Sequence, residues 1–315
     1  MHKFPKRLIA CLLAAVLLSS CAQAETRFSI LAVNFPAFDL SRSLAGDLAE
    51  VAMLLPPGSE SHSYEPSPQD IIAIQNADLF IYTGGESDHW VEEILHSMGD
   101  AAPAVFRLSD SVTLLEEQHS ASMEHAHDHA HCNDPGHVHA EMDEHVWTSP
   151  KNMMLITRSL CETLQTLMPQ HADALEAACA EYLLQLEQLD ASFSQIVQEG
   201  KRDLIIFGDR FPFRYFAAAY GLRYDAAFPG CSEDSEPSVR TVISLVDTVR
   251  EQEIPVIFYI EFSSRRTADI LAEETGAVPL LFHSCHNVSS AEIEAGATYL
   301  SLMQKNAEAL KEALN

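Results

Sequence analysis

The sequence predicts an α/β protein: two similar parallel-sheet lobes joined by one long backbone helix. Three observations predict it. Strand-then-helix units occur in both halves, the halves share a stretch of text, and one unbroken helical pattern lies between them. A chain of 315 residues with 47% hydrophobic content has material for two moderate cores.

The N-terminus comes first. Lys3, Lys6 and Arg7 precede an apolar run from Leu8 to Leu18. That run is too short for a membrane span and right for a signal peptide over residues 1–20, so the protein is expected outside the cytoplasm. Leu18-Ser19-Ser20-Cys21 looks like a bacterial lipobox, which would leave Cys21 as the lipid anchor. A competing cleavage site, Ala22-Gln23-Ala24, would release a free periplasmic protein. In an oxidising compartment cysteines can pair. The pairings expected are Cys231 with Cys285 and Cys161 with Cys179.

Phe28 to Asn34 reads as a strand followed by a helix, and Asn76 to Leu95 as strand, glycine turn, helix. Asp203 to Asp209 and Ile254 to Leu271 repeat the alternation. PGSESHSYEPSPQDI (57–71) and PGCSEDSEPSVRTV (229–242) share Pro-Gly and Glu-Pro-Ser at nearly matched spacing. A duplicated lobe explains this, and chance similarity of turn residues is the alternative. Strand-helix repeats imply parallel sheets with ligands beyond the carboxyl ends of the strands, so the lobes should share a cleft.

The connector spans 172–199. Apolar residues fall at Leu175, Cys179, Tyr182, Leu186, Leu189, Phe193 and Ile196 in steps of four and three, and Gly200 ends the pattern. A helix of that length reaches roughly 40 Å, enough for a spine along both lobes. The N-terminal lobe is then 21–171, with a His-rich loop at 119–141, and the C-terminal lobe is 200–315.

The formal net charge of −27 becomes −30 once Lys3, Lys6 and Arg7 leave with the first twenty residues, which argues against nucleic acid and suits cations. Residues 125–145 hold seven of the fifteen histidines. His62 follows Pro56-Pro57-Gly58 in a loop after an apolar stretch, and a lone loop histidine is most often just solvated. His145 stands just before Ser149-Pro150, an N-cap and first helical position, so it belongs to the folded part.

On HSYEPSPQD around His62, YTGGE (Tyr82 to Glu86) with Trp90, EHVWTSP around His145, AEYLLQLEQLD in the connector and FYIEFSSRRTADILAEETGA (Phe258 to Ala277), the chain resembles a known family. These are the substrate-binding lipoproteins of bacterial ABC importers for zinc and manganese. The resemblance covers Phe28 to Leu314. It implies His62 and His145 as first and second metal ligands, and a His-rich acidic loop before the second is typical of the zinc importers.

The chain departs from that pattern at the third ligand. A His or Glu there aligns with Arg210, and a guanidinium has no lone pair to offer. Asp209 would serve after a one-residue shift, or it only pairs with Arg210. The fourth ligand, usually Asp, aligns with His283. His62, His145, His283 and Asp209 would make an acceptable tetrahedral zinc set, and the imidazole favours zinc over manganese. Glu233 is an alternative ligand, because it stands three before Glu236 as His62 stands three before Glu65. His286 and Cys285 rank behind these, Cys285 because a disulfide would consume its thiolate. Glu65, Glu86 and Glu261 are expected to orient histidine ring nitrogens, unless Glu261 only caps a helix beginning near Ser263.

His125, His127, His129, His131, His137 and His139 form an accessory metal loop of exchangeable weak sites, or else a scavenging tail with no part in transport. Both sites should weaken below pH ~6, where histidine keeps its proton. Three function classes compete. The first is an extracytoplasmic solute-binding protein that captures Zn2+ between the lobes and passes it to an ABC importer permease, with Mn2+ binding in the same cleft as a variant. The second is an extracytoplasmic zinc buffer or chaperone acting through the His-rich loop. The third, a zinc hydrolase, lacks HExxH or any comparable catalytic motif, so no enzyme is expected.

Overall fold

Each half of the chain builds a four-stranded parallel sheet in the same spatial order, and one helix runs past both. The computed structural model describes residues 27–59, 64–118, 120–124, 142–230, 232 and 236–315. In lobe one, β1 (Phe28–Ala32) lies between β2 (Ala49–Met53) and β3 (Leu79–Tyr82), with β4 (Ala104–Arg107) outside β3. In lobe two, β5 (Leu204–Phe211) lies between β6 (Arg223–Pro229) and β7 (Val256–Tyr259), with β8 (Val278–Leu281) outside β7. Every strand pair is parallel. The central strand β3 is buried along its whole length, as expected for a sheet covered on both faces.

The connections are right for such sheets. Helices α1 (Phe35–Ala45), α2 (Pro68–Asn76) and α3 (His89–Met98) follow β1, β2 and β3. Asn34 caps α1 by accepting the Ala37 N–H, and Ser67 with Asp70 forms a capping box on α2. A short helix, α4 (Ala121–Glu124), precedes the His-rich segment. Helix α5 (Pro150–Leu167) starts where the sequence places it, with Ser149 accepting the Asn152 N–H and Pro150 at the first turn.

The connector is one helix, α6 (Ala172–Glu199), with the expected residues from Leu175 to Phe193 buried. Phe193 packs edge-on against Phe216, at 4.9 Å between centroids, in α7 (Arg214–Tyr220) of lobe two. Further along the chain, α8 (Val239–Glu251) and α9 (Arg266–Thr275) complete lobe two, followed by α10 (Ser290–Glu294) and α11 (Tyr299–Leu314). Helix α11 ties the lobes a second time. The Tyr299 N–H donates to Asp39 of α1 (2.7 Å) and the Tyr299 hydroxyl to the Trp147 carbonyl (2.8 Å), both buried. Cys161, Cys179 and Cys285 are free and buried, so the expected Cys161–Cys179 bridge is not formed here. Cys132 and Cys231 lie outside the described residues. Among the described residues no helix is long and apolar enough to cross a membrane.

Candidate metal site

After β4 the chain leaves lobe one and straps itself over lobe two. Leu115 N–H donates to the Tyr215 hydroxyl (3.1 Å), and the Tyr224 hydroxyl donates to the Gln118 carbonyl (3.0 Å). Ser120 and Ser122 then donate their hydroxyls to the two oxygens of buried Asp225, each at 2.6 Å. The chain returns at Met142, bridged to Glu116, and the Asp143 N–H donates to the Leu115 carbonyl (2.9 Å). Two residues later stands His145, only 1% exposed.

Asp143 fixes that histidine. Its Oδ1 accepts the His145 N–H (2.8 Å) and lies 3.3 Å from Nδ1. A carboxylate on one ring nitrogen sets the tautomer and leaves the other nitrogen as the ligating atom. Burial alone would lower the His145 pKa, but Asp143, with Glu144 and Glu117 behind it, raises it above the usual histidine value. Oδ2 of Asp143 is buried with no hydrogen-bond partner among the described residues, which suits a nearby cation. Glu144 points the other way. Ser87 donates to it through N–H (3.0 Å) and hydroxyl (2.6 Å), and a Cβ on Gly85 would collide with its side chain. Gly85 of YTGGE therefore admits the segment that carries His145, while Gly84 makes room for the Arg107 side chain.

Lobe two supplies the opposite wall from the turn after β8. Glu261, following β7, accepts the Ser284 N–H (2.8 Å) and the Ser284 hydroxyl. Trp147 Nε1–H donates to the Ser284 carbonyl (2.8 Å). This sets His286 beside His145. The ring centroids of His145, Trp147 and His286 form a triangle with sides of 5.4, 4.8 and 5.5 Å. Two imidazoles sharing a tetrahedral zinc at about 2.1 Å from each nitrogen would have centroids about 5 Å apart, so the 5.5 Å between His145 and His286 fits a common ion. Asn287 and Val288 hold residues 56–59 of lobe one against lobe two: Asn287 Nδ2 donates to the Pro56 and Ser59 carbonyls (2.8 and 2.9 Å), and Gly58 N–H to the Val288 carbonyl (2.8 Å).

The resulting cavity of about 30 Å³ is lined by His145, His286, Glu261, Arg210, Ser284 and Ser59, among others. They sit at or beyond the carboxyl ends of strands or on the His145 limb, where the parallel topology predicts a ligand. Among the described residues no three His, Cys, Asp or Glu side chains are gathered as a metal would require. The described chain contributes the histidine pair.

Not all residues singled out in the sequence reach this cavity. His283 does not line it. Its Nδ1 accepts the Cys285 N–H (2.9 Å), and Nε2 lies 3.5 Å from Glu292. Burial would lower its pKa, yet Glu261 and Glu292 raise it, and the ring is turned to Cys285 and Glu292 rather than into the cavity. His283 holds Glu292 down to about 2 in turn. Asp209 is also engaged elsewhere, accepting the Arg210 N–H (2.8 Å) and the Ile260 N–H (3.2 Å) between the ends of β5 and β7. Arg210 lines the cavity and donates to the Ser232 carbonyl (3.4 Å). Glu65 and Glu86 are exposed, whereas Glu261 is in the wall, holding Ser284 rather than capping α9. His62, Glu233, Cys21 and the accessory histidines His125, His127, His129, His131, His137 and His139 lie outside the described residues.

The cavity wall carries His286, which the sequence places behind His283, and the structure sets Asp143 against His145 and Trp147 against both histidines. A carboxylate two residues before His145 was a usable signal. Nothing local marks His286 over His283, because the deciding contacts come from Trp147 and Glu261.

The profile described as "ZnuA: Zinc-uptake complex component A periplasmic" matches residues 30–313. The high-affinity zinc uptake system protein ZnuA of Bacillus subtilis is 28% identical over 308 residues, covering 95% of this chain and 94% of that protein. The zinc-binding lipoprotein AdcA of Streptococcus pneumoniae is 29% identical over 302 residues, covering 96% of this chain and 59% of AdcA, so the chain spans about three fifths of that relative. Among solved structures, the metal-dependent lipoprotein YcdH of B. subtilis superposes with a TM-score of 0.77 at 27% identity, covering 91% of this chain and 99% of YcdH. The Zn(II)-bound ZnuA-like domain of S. pneumoniae AdcA gives 0.75 at 27% identity, with 91% and 99% covered.

Proposed function

Because the chain belongs to the family of periplasmic zinc-uptake complex component A proteins, we propose that it is an extracytoplasmic binding protein that captures Zn2+ between its lobes and hands it to an ABC importer permease. The observation that carries this reading is the pairing of His145 with His286 across the lobe boundary at zinc-compatible spacing. His62, three residues beyond Ser59 of the cavity wall, supplies the third nitrogen. Glu261 contributes negative charge, and Arg210 opposes it as a fixed cation. Three imidazoles with little carboxylate select zinc over manganese. Family membership makes this a transport protein rather than an enzyme.

The wider reading follows the sequence. Cys21 carries the lipid anchor that keeps the protein beside the permease. The histidines of 125–139 act as an accessory collector, and the residues flanking the segment are held to lobe two by Asp225 and Tyr215.

The test is a competitive zinc titration with bound-metal analysis on the mature protein lacking 119–141, beside the same protein carrying His145→Ala. One tight equivalent in the first, weakened about a thousandfold in the second, is expected for loss of a first-hand ligand. Absence of a tight equivalent from the first protein would transfer metal binding to the His-rich segment and make the protein a buffer.

A further inference from the structure

His145 belongs to a limb of lobe one, yet its support comes from lobe two. Tyr215 sits in α7, 3% exposed. Its hydroxyl donates to the Asp143 carbonyl (2.7 Å) and accepts the Leu115 N–H (3.1 Å). One oxygen thus joins both limbs of the strap, and Asp143 is the residue whose carboxylate holds His145 at N–H and Nδ1. Burial pushes the Tyr215 hydroxyl up to about 12, so it keeps the proton it donates. Tyr224 makes a comparable bond to the same strap, to the Gln118 carbonyl, at a point that does not lead to His145.

We infer that Tyr215 is a positioning residue for metal binding: by holding the Asp143 backbone it fixes the Asp143–His145 pair to lobe two and slows release of the ion. The physical basis is the order of the contacts. His145 has no rigid helix or strand of its own, since the three-residue 3-10 turn begins only at Val146. Thr148 holds its carbonyl, Asp143 holds its N–H and ring, and the Asp143 backbone is tied in turn by the Leu115 carbonyl and the Tyr215 hydroxyl. A ligand held through another lobe is coupled to the relation between lobes. A loosened supporting contact typically weakens a metal site ten- to a hundredfold, at about the level of an outer-sphere partner.

This inference rests on zinc binding at His145, so the two are tested separately. Tyr215→Phe and Tyr224→Phe each remove one strap bond and keep the ring. Zinc release into excess chelator is timed for the parent and both variants, and cobalt(II) is bound to each as a spectroscopic stand-in. The expected result is that Tyr215→Phe releases zinc about tenfold faster with an altered visible cobalt band. Tyr224→Phe should stay within about twofold of the parent, with an unchanged band. Equal acceleration in both variants, or parental release and spectrum in Tyr215→Phe, overturns the positioning role. A parent without tight zinc overturns the reading it rests on. In that case amide exchange at 143–147 in the metal-free protein decides the inference: faster exchange in Tyr215→Phe than in Tyr224→Phe keeps the positioning contact, and equal exchange ends it.

Discussion

The two lobes use one strand order and one device, and differ in where they aim it. In each, a glutamate near the cleft is gripped by a serine through backbone N–H and hydroxyl: Glu144 by Ser87 in lobe one, Glu261 by Ser284 in lobe two. In each, a buried aspartate collects backbone N–H groups at the strand ends: Asp88 from Thr83 and Gly84, Asp209 from Arg210 and Ile260. Glu261 faces the cavity shared with His145, whereas Glu144 lines a separate small hollow with Asp88 on the other side of His286. The lobes thus use similar supports at different positions of the same strand order, and the loops decide which of them meet the cavity.

That difference can be broken by experiment. Glu261→Gln removes a unit charge from the cavity wall and should weaken zinc about 30-fold, ~2 kcal/mol beside a divalent ion in a partly solvated site. Glu144→Gln should cost threefold or less by the same titration. Equal losses would mean that the two glutamates act as equivalent charges. Arg210→His exchanges an opposing cation for an imidazole and should tighten zinc about tenfold, read by chelator competition. No gain would indicate that Arg210 does not face the ion.

The smallest effect concerns the supports. Burial, with the Glu144 charge adding to it, raises the Asp88 carboxyl to about 6 despite the N–H groups of Thr83 and Gly84. A carboxyl raised on folding disfavours the native state once ionised, so the contribution of Asp88 to stability is greatest below pH ~4, falls between about 4 and 6, and is level above. Both N–H groups meet the same oxygen, Oδ2, and an amide oxygen can take its place. Asp88→Asn should therefore stabilise the protein by about 1–2 kcal/mol at pH 7.5 and flatten that part of the stability profile in denaturant titrations. A destabilised variant would show that the charge strengthens those bonds by more than burial opposes it.

Much of the fold was readable because its periodicities are local. The four-and-three stepping from Leu175 to Phe193 marks a helix with a single buried stripe, and Ser149-Pro150 fixes the start of α5. The edge strands were harder. β8 is Val-Pro-Leu-Leu, none of it fully buried, and β6 starts with Arg223-Tyr224-Asp225 rather than an apolar run. The site was half legible. His145 could be assigned to the folded part from its neighbours, but the choice between His283 and His286 depends on Trp147, more than a hundred residues away, and on Glu261. Likewise Asp209 has the right chemistry for a ligand, and only the ends of β5 and β7 reveal that backbone groups already occupy it.

We propose that His145 and His286, not His283, share the ion. The most direct measurement is the zinc dissociation constant of the protein lacking 119–141 carrying His286→Ala, beside the same protein carrying His283→Ala. A loss of about a hundredfold or more is expected for His286→Ala, and a change within about threefold for His283→Ala. A large loss in His283→Ala with near-parental binding in His286→Ala would contradict it.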